Sequence, residues 1–254
     1  MSRTRMRYGP HRSNVADLWL PDAGRGDVPV VVLVHGGFWR AAYTKVLMNG
    51  LAQSVNERGW AAWNIEYRRL GAVGGGGGWP TTFDDVDAAV DHLATLQRLD
   101  LGRVVVCGHS AGGHLALWTA ARHAEAKRAT ASGVTVRGAL SLAGIVDLRE
   151  ADRLHLGGDA TARLLGGHWE QQEARYRQAS PAALLPLGVP QVLVHGLDDG
   201  VVPATMSEEY HVRASQAGDA VRYLPVDGAG HRDLIAAGGR GWGEALAQLE
   251  LLIG

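Results

Sequence analysis

Apolar residues in this chain gather in short, β-branched runs at 30–34, 104–107, 134–142 and 192–194, each closing near a glycine or histidine. The runs do not alternate with polar residues, which predicts strands buried on both faces of a mostly parallel sheet. Residues 60–65 and 221–226 are two further strand candidates, and 16–20 reads as an early, less buried one. Between them lie helical patterns. Phe83, Val86, Val90, Leu93 and Leu96 recur at the spacing of one helix face. Thr81 and Thr82 stand ready as N-caps, and Asp84, Asp85 and Asp87 suit the positive end of the helix dipole. Residues 111–124, 204–217 and 242–252 complete the helix candidates. Strand alternating with helix predicts right-handed crossovers and a doubly wound α/β sheet with helices on both faces.

Two segments interrupt that rhythm. Residues 71–80 contain five consecutive glycines, Gly74 to Gly78, and read as a loop. No GKS or GKT follows them, so a phosphate-binding loop is not supported. Residues 147–187 are polar and mixed, and predict a short helical insertion over the sheet edge within one domain spanning 1–254. That insertion is too small for a large lid.

Composition narrows the picture. A chain of 254 residues suits one α/β domain. Hydrophobic content of 46% and charged content of 20% are those of a globular protein. The net charge of −1 makes no electrostatic case for nucleic acid or an anionic membrane as partner. Cys107 is the only cysteine, so no intrachain disulfide can form. The first ten residues are basic without an apolar core, and no apolar run reaches the roughly 20 residues of a membrane helix. The expectation is a soluble, cytoplasmic protein. Its oligomeric state, monomer or homodimer, stays open.

The chemistry concentrates in four places. Gly108-His109-Ser110-Ala111-Gly112 fits the G-x-S-x-G pattern, with the strand candidate 104–107 before it and a helix start after it. Such a turn projects the Ser110 hydroxyl from the sheet edge as a nucleophile. Upstream, His35-Gly36-Gly37-Phe38-Trp39 follows the run 30–34. Acyl transfer puts negative charge on a former carbonyl oxygen, and by position the N–H groups of Gly37, Phe38 and Ala111 are expected to form the oxyanion hole. His35 is read as a structural hydrogen bonder. A serine nucleophile needs a base, and the base an orienting carboxylate, in the chain order Ser, acid, His. Asp198 and Asp199 both sit where the acid should, with Asp199 preferred at the tip of the turn and Asp147 an outside candidate. His231 stands in the loop Asp227-Gly228-Ala229-Gly230-His231 after the last strand, and is preferred as base over His195, His211 and His168. His109 is expected to point away from Ser110. No paired Cys/His spacing suggests a metal.

Taken together, the HGGFW, GHSAGGH, HGLDD and GH motifs resemble the α/β-hydrolase superfamily over nearly the whole chain from about Tyr8. Within it, the first two resemble kynurenine formamidase (arylformamidase) and the small carboxylesterases. Catalytic domains of prolyl-oligopeptidase type share the elbow. The resemblance implies an α/β-hydrolase fold, a Ser110–Asp199–His231 triad, a covalent acyl-enzyme and no cofactor. It implies a small-molecule ester or aryl formamide as substrate, with short peptides as the alternative and a catalytically dead receptor as a remote one. Phe38, Trp39, Trp79 and Trp169, with Tyr67, are the expected walls of the substrate pocket.

Overall fold

The β-branched runs become strands of one eight-stranded sheet. The structure is a computed structural model that describes residues 2–22, 26–71, 75–126 and 133–254. The strands are β1 (Ser2–Arg7), β2 (Val15–Leu20), β3 (Val28–Val34), β4 (Ala61–Ile65), β5 (Leu99–His109), β6 (Val136–Leu142), β7 (Gln191–Gly196) and β8 (Val221–Val226). Their spatial order is β1-β2-β4-β3-β5-β6-β7-β8. β1 and β2 are antiparallel to their neighbours, and the other six strands run parallel. This is the α/β-hydrolase fold.

Eight α-helices lie among the described residues: α1 (Asn49–Glu57), α2 (Thr81–Asp91), α3 (Ala111–Ala126), α4 (Leu148–Arg153), α5 (Ala160–Leu165), α6 (Trp169–Ala179), α7 (Ala204–Gln216) and α8 (Arg240–Ile253). Strand alternation divides the core between the two sheet faces. Val30, Val32 and Val34 pack with Phe83, Val86 and Leu115 from α2 and α3. Val31 and Leu33 pack with Leu51 and Val55 from α1 and with Trp242 and Leu249 from α8. Both faces of β3 are therefore covered, which is why its sequence is an unbroken apolar run.

Chain order reverses beside β3, since β4 lies on one side of it and β5 on the other. The loops leaving β3 and β5 flank the crevice at this switch point, where open α/β sheets bind ligands. They carry the HGGFW segment and Ser110.

Local details depart from expectation. Helix α2 begins after Pro80, and neither Thr81 nor Thr82 caps it. Thr82 sits in the first turn instead, where its hydroxyl accepts from the Gly78 N–H and donates to the Arg68 carbonyl. Asp85 turns to Arg68, whose guanidinium grips it at 2.6 and 2.9 Å. The segment 147–187 contains α4, α5 and α6. Of the glycine-rich loop, residues 72–74 lie outside the described residues. Its end is tied down where the Trp79 N–H donates to Leu164 in α5 at 2.8 Å.

Candidate active site

Ser110 occupies the single residue between β5 and α3, with φ of 58°. An L-residue there is strained by roughly 1–2 kcal/mol, so the surroundings must hold it. They do: Ser110 N–H donates to Leu142 at 2.8 Å, and the Ser110 carbonyl accepts from His114 N–H at 3.1 Å. A Cβ at Gly108 would collide with the Gly112 backbone, and one at Gly112 with the Val34 carbonyl. The two glycines of the G-x-S-x-G pattern are thus required by the close approach of β3, β5 and α3.

The loop after β3 is pinned from beneath. The His35 imidazole contacts Glu66 Oε1 at 2.7 Å and stacks on Tyr67 at 4.4 Å. The Tyr67 hydroxyl donates to the His35 carbonyl at 2.8 Å. Burial pushes the Glu66 carboxyl up, but the His35 hydrogen bond and the Arg69 charge outweigh it and hold the group below the usual range. His35 is therefore fully engaged in supporting the loop. Above it, Phe38 and Trp39 adopt φ of 51° and 55°. Among the described residues no backbone acceptor takes the N–H of Gly37, Phe38 or Ala111. Ready donors thus stand on both sides of Ser110.

His231 follows the short loop after β8. Its Nδ1 donates to Asp199 Oδ2 at 2.7 Å. The other carboxylate oxygen, Oδ1, accepts from Val201 and Val202 N–H at 2.8 and 2.9 Å. Burial would raise the Asp199 pKa, yet the hydrogen bonds from His195, His231 and the two amides overcome it, and the group is held far below the ordinary carboxylate range. Asp199 is a committed anion. The Asp198 side chain faces outward, and Asp147 caps α4 through Arg149 and Glu150 N–H. His168 bonds Asp152, and His211 lies beside Tyr223, both away from Ser110.

Ser110 and His231 line one cavity of about 220 Å³. Its wall is apolar, from Phe38, Tyr43, Leu47, Val201 and Ile235. Arg232 joins it at the rim, and no ion pair or hydrogen bond engages that guanidinium among the described residues. A hydroxyl, an imidazole with an anion behind it, and unpaired amide donors around one hollow can support nucleophilic acyl transfer.

A family model, BD-FAE, matches residues 16–213. The chain belongs to the BD-FAE family. It is 26% identical over 246 residues to the probable isoprenylcysteine alpha-carbonyl methylesterase ICMEL1 of Arabidopsis thaliana, covering 90% of this chain and 50% of that protein. It is 28% identical over 244 residues to esterase LipQ of Mycobacterium tuberculosis, covering 91% of this chain and 57% of LipQ. The chain thus spans about half the length of the curated relatives it matches. Among solved structures, a truncated carbohydrate esterase from gut microbiota superposes with a TM-score of 0.83 at 20% identity, covering 98% of this chain and 95% of that one.

In this BD-FAE chain the aromatic residues expected as pocket walls are distributed differently, and only Phe38 lines the Ser110 cavity. Trp39 is fully buried and packs edge-on against His114 at 5.3 Å. Tyr67 is fully buried beneath His35. Trp79 packs on Phe83 at 4.8 Å, beside a separate hollow. Trp169 packs on Tyr176 at 5.7 Å, with the Arg149 guanidinium over its ring. Large rings gain most by burial: Trp39 and Tyr67 gain it in the core, while Trp79 and Trp169 are half-buried against it. His109 turns its ring towards His231, with the ring centroids 4.6 Å apart. Its Nε2 donates to the His231 carbonyl at 2.9 Å, and the residue borders the Ser110 cavity. Burial pushes its pKa down to about 3, so the ring stays neutral. The actual wall residues Tyr43, Leu47, Val201 and Ile235 lay in loops and short turns without periodicity. The available signal was position: Val201 comes two residues after Asp199, and Ile235 four after His231.

Proposed function

We propose that this chain hydrolyses short-chain carboxylic esters through an acyl-enzyme on Ser110. The observation that carries the reading is the Asp199–His231 contact of 2.7 Å beside the hollow that Ser110 lines. The esterase names of the two relatives support the same reaction class. His231 takes the Ser110 proton as Oγ attacks the ester carbonyl. Asp199 holds the ring with its proton on Nδ1 and stabilises the imidazolium. The N–H groups of Gly37, Phe38 and Ala111 receive the oxyanion. His231 then protonates the departing alcohol. Water, deprotonated by the same imidazole, releases the acid and regenerates Ser110.

The hollow of about 220 Å³ favours small acyl groups. A formyl group is the smallest of these, so aryl formamides belong in the test. Arg232 supplies the wall with a permanent cation, and an ester bearing a carboxylate within its reach should bind better than a neutral ester of equal length. The deciding experiment is a panel of nitrophenyl acetate through decanoate, nitrophenyl hemisuccinate, N-formylkynurenine and aminoacyl nitroanilides. The expected profile peaks at short esters and falls towards decanoate. Ser110→Ala should lower turnover by ~10⁴ to 10⁶. Turnover retained in that variant, or nitroanilides outrunning every ester, would overturn the reading.

A further inference from the structure

Asp199 faces two imidazoles. His231 lies on the cavity side, and His195 lies behind, at the end of β7, with Nε2 3.2 Å from Asp199 Oδ2. His195 and Asp199 side chains are completely shielded from solvent. The same Nε2 lies 3.0 Å from the Val202 carbonyl. Both of those oxygens can only accept, so Nε2 must carry a proton. On the far side of the ring, Nδ1 lies 2.7 Å from Ser207 Oγ, in the first turns of α7. In the neutral ring Nδ1 is the acceptor and Ser207 donates to it.

We infer that His195 and Ser207 are positioning residues for the acid, forming a buried relay Ser207–His195–Asp199–His231. This rests on the proposed role of Asp199 as the acid that orients His231. The two acceptors on Nε2 fix the tautomer of His195, and the Ser207 hydroxyl holds the ring in place and strengthens the Nε2–H donor through Nδ1. The fixed Nε2–H then clamps both ends of the 199–202 turn, the carboxylate at one end and the Val202 carbonyl at the other. With Val201 and Val202 N–H holding Oδ1, the carboxylate keeps one orientation, and Oδ2 meets His231. A donor on the rear of Asp199 also draws off part of its negative charge. That lowers the electrostatic stabilisation that the carboxylate gives the His231 imidazolium. The titratable groups that bear on this arrangement are Asp199, His195, His231 and His109, the last contacting the His231 carbonyl.

Ser207→Ala removes the hydrogen bond on Nδ1 with little change in volume and leaves the ring freer to turn and a weaker donor through Nε2. The expected result is a fall in kcat of about fivefold with KM unchanged, as for one lost hydrogen bond acting through geometry. The rising limb of kcat/KM against pH should move to higher pH, because a weaker Nε2–H draws less charge from the carboxylate. Ser207→Thr restores a hydroxyl and should recover both. His195→Gln, which can place an N–H near the Nε2 position, should retain more activity than His195→Leu. A purely structural role would lower the melting temperature and leave the pH limb in place. An unmoved limb and unchanged kcat in Ser207→Ala would overturn the inference. A second measurement does not need turnover. Nitrogen NMR of histidine-labelled protein, assigned against His195→Gln, reads the tautomer directly. Protonation of His195 on Nδ1 alone would sink the relay even if esters are cleaved. Absence of ester cleavage with the Nε2–H tautomer present would instead count against the proposed function.

Discussion

At the scale of single residues, position decides role more than residue type does. Asp198 and Asp199 are neighbours of the same chemistry, but only Asp199 is enclosed and bonded to His231. Asp199→Asn keeps the shape and removes the charge, and its amide can present an N–H where His231 needs an acceptor. Under the proposed mechanism it should lower kcat by ~10⁴ through the wrong imidazole tautomer. Asp198→Asn should leave kcat within about twofold, as expected for an exposed group outside the site. Steady-state kinetics of the pair on nitrophenyl acetate checks this, and equal losses would remove the special status of Asp199. The sequence could bring both aspartates to the right turn but could not choose by chemistry, because one residue of shift reverses the direction of a side chain. The pocket walls were less legible still. Trp39 follows the HGGF stretch and reads as a wall, yet its ring is buried against His114, while Phe38 beside it lines the cavity.

At the scale of elements, β1 shows what periodicity cannot see. Ser2–Arg7 alternates arginine with small, polar or methionine side chains, so it offers no apolar face to a pattern search. Its attachment is electrostatic. Arg3 and Arg5 of β1 reach Asp17 of β2 at 2.5 and 3.1 Å, and Lys45 reaches the same carboxylate from the interior. Burial disfavours the Asp17 anion, but the hydrogen bonds from Lys45, Arg3 and Arg5 outweigh it and lower its pKa. Asp17→Asn would leave the nearly buried Lys45 ammonium without its carboxylate, at a cost of about 3 kcal/mol. Thermal unfolding should then begin roughly 6–12 °C lower. Adding Lys45→Met removes the stranded charge and should recover much of that loss. A double variant no more stable than Asp17→Asn would show that the pair is not coupled. The strands from β3 to β8 were legible because both of their faces, or most of one, are apolar. The short helix α1 was not, since only Leu51, Ala52 and Val55 mark its buried face.

At the scale of the whole molecule, the buried histidines set how the fold responds to acid. Burial pushes the pKa of His109 down to about 3 and that of His114 down to about 4, against 6.5 for an accessible imidazole. Their neutral state stabilises the fold fully above pH 6.5. As pH falls below that, the unfolded chain takes up protons that the folded chain refuses, and stability declines until the folded pKa values are reached. Each such histidine contributes a slope of about 1.4 kcal/mol per pH unit across that window. The depressed carboxylates Asp17, Glu66 and Asp199 act in the same direction, but only below about pH 4.5, where unfolded carboxyls begin to protonate. Burial pushes Asp87 the other way, up to about 7, so between pH 7 and 4 it adds stability as pH falls and offsets roughly one histidine. Neither effect can be read from eleven histidines in a sequence, because it depends on which of them the sheet and α3 enclose. His114 is the clean probe, since its Nε2 donates to the Ala179 carbonyl at 2.9 Å and lies outside the Ser110 cavity. His114→Gln keeps a donor and removes the titration. The melting temperature of the parent protein should drop by roughly 3–6 °C from pH 7 to pH 5, the two histidines outweighing Asp87. That of His114→Gln should drop by about 4–8 °C less, and so stay nearly level, because His114 no longer takes up a proton on unfolding. Parallel curves for the two proteins would mean that His114 is not held neutral by the fold.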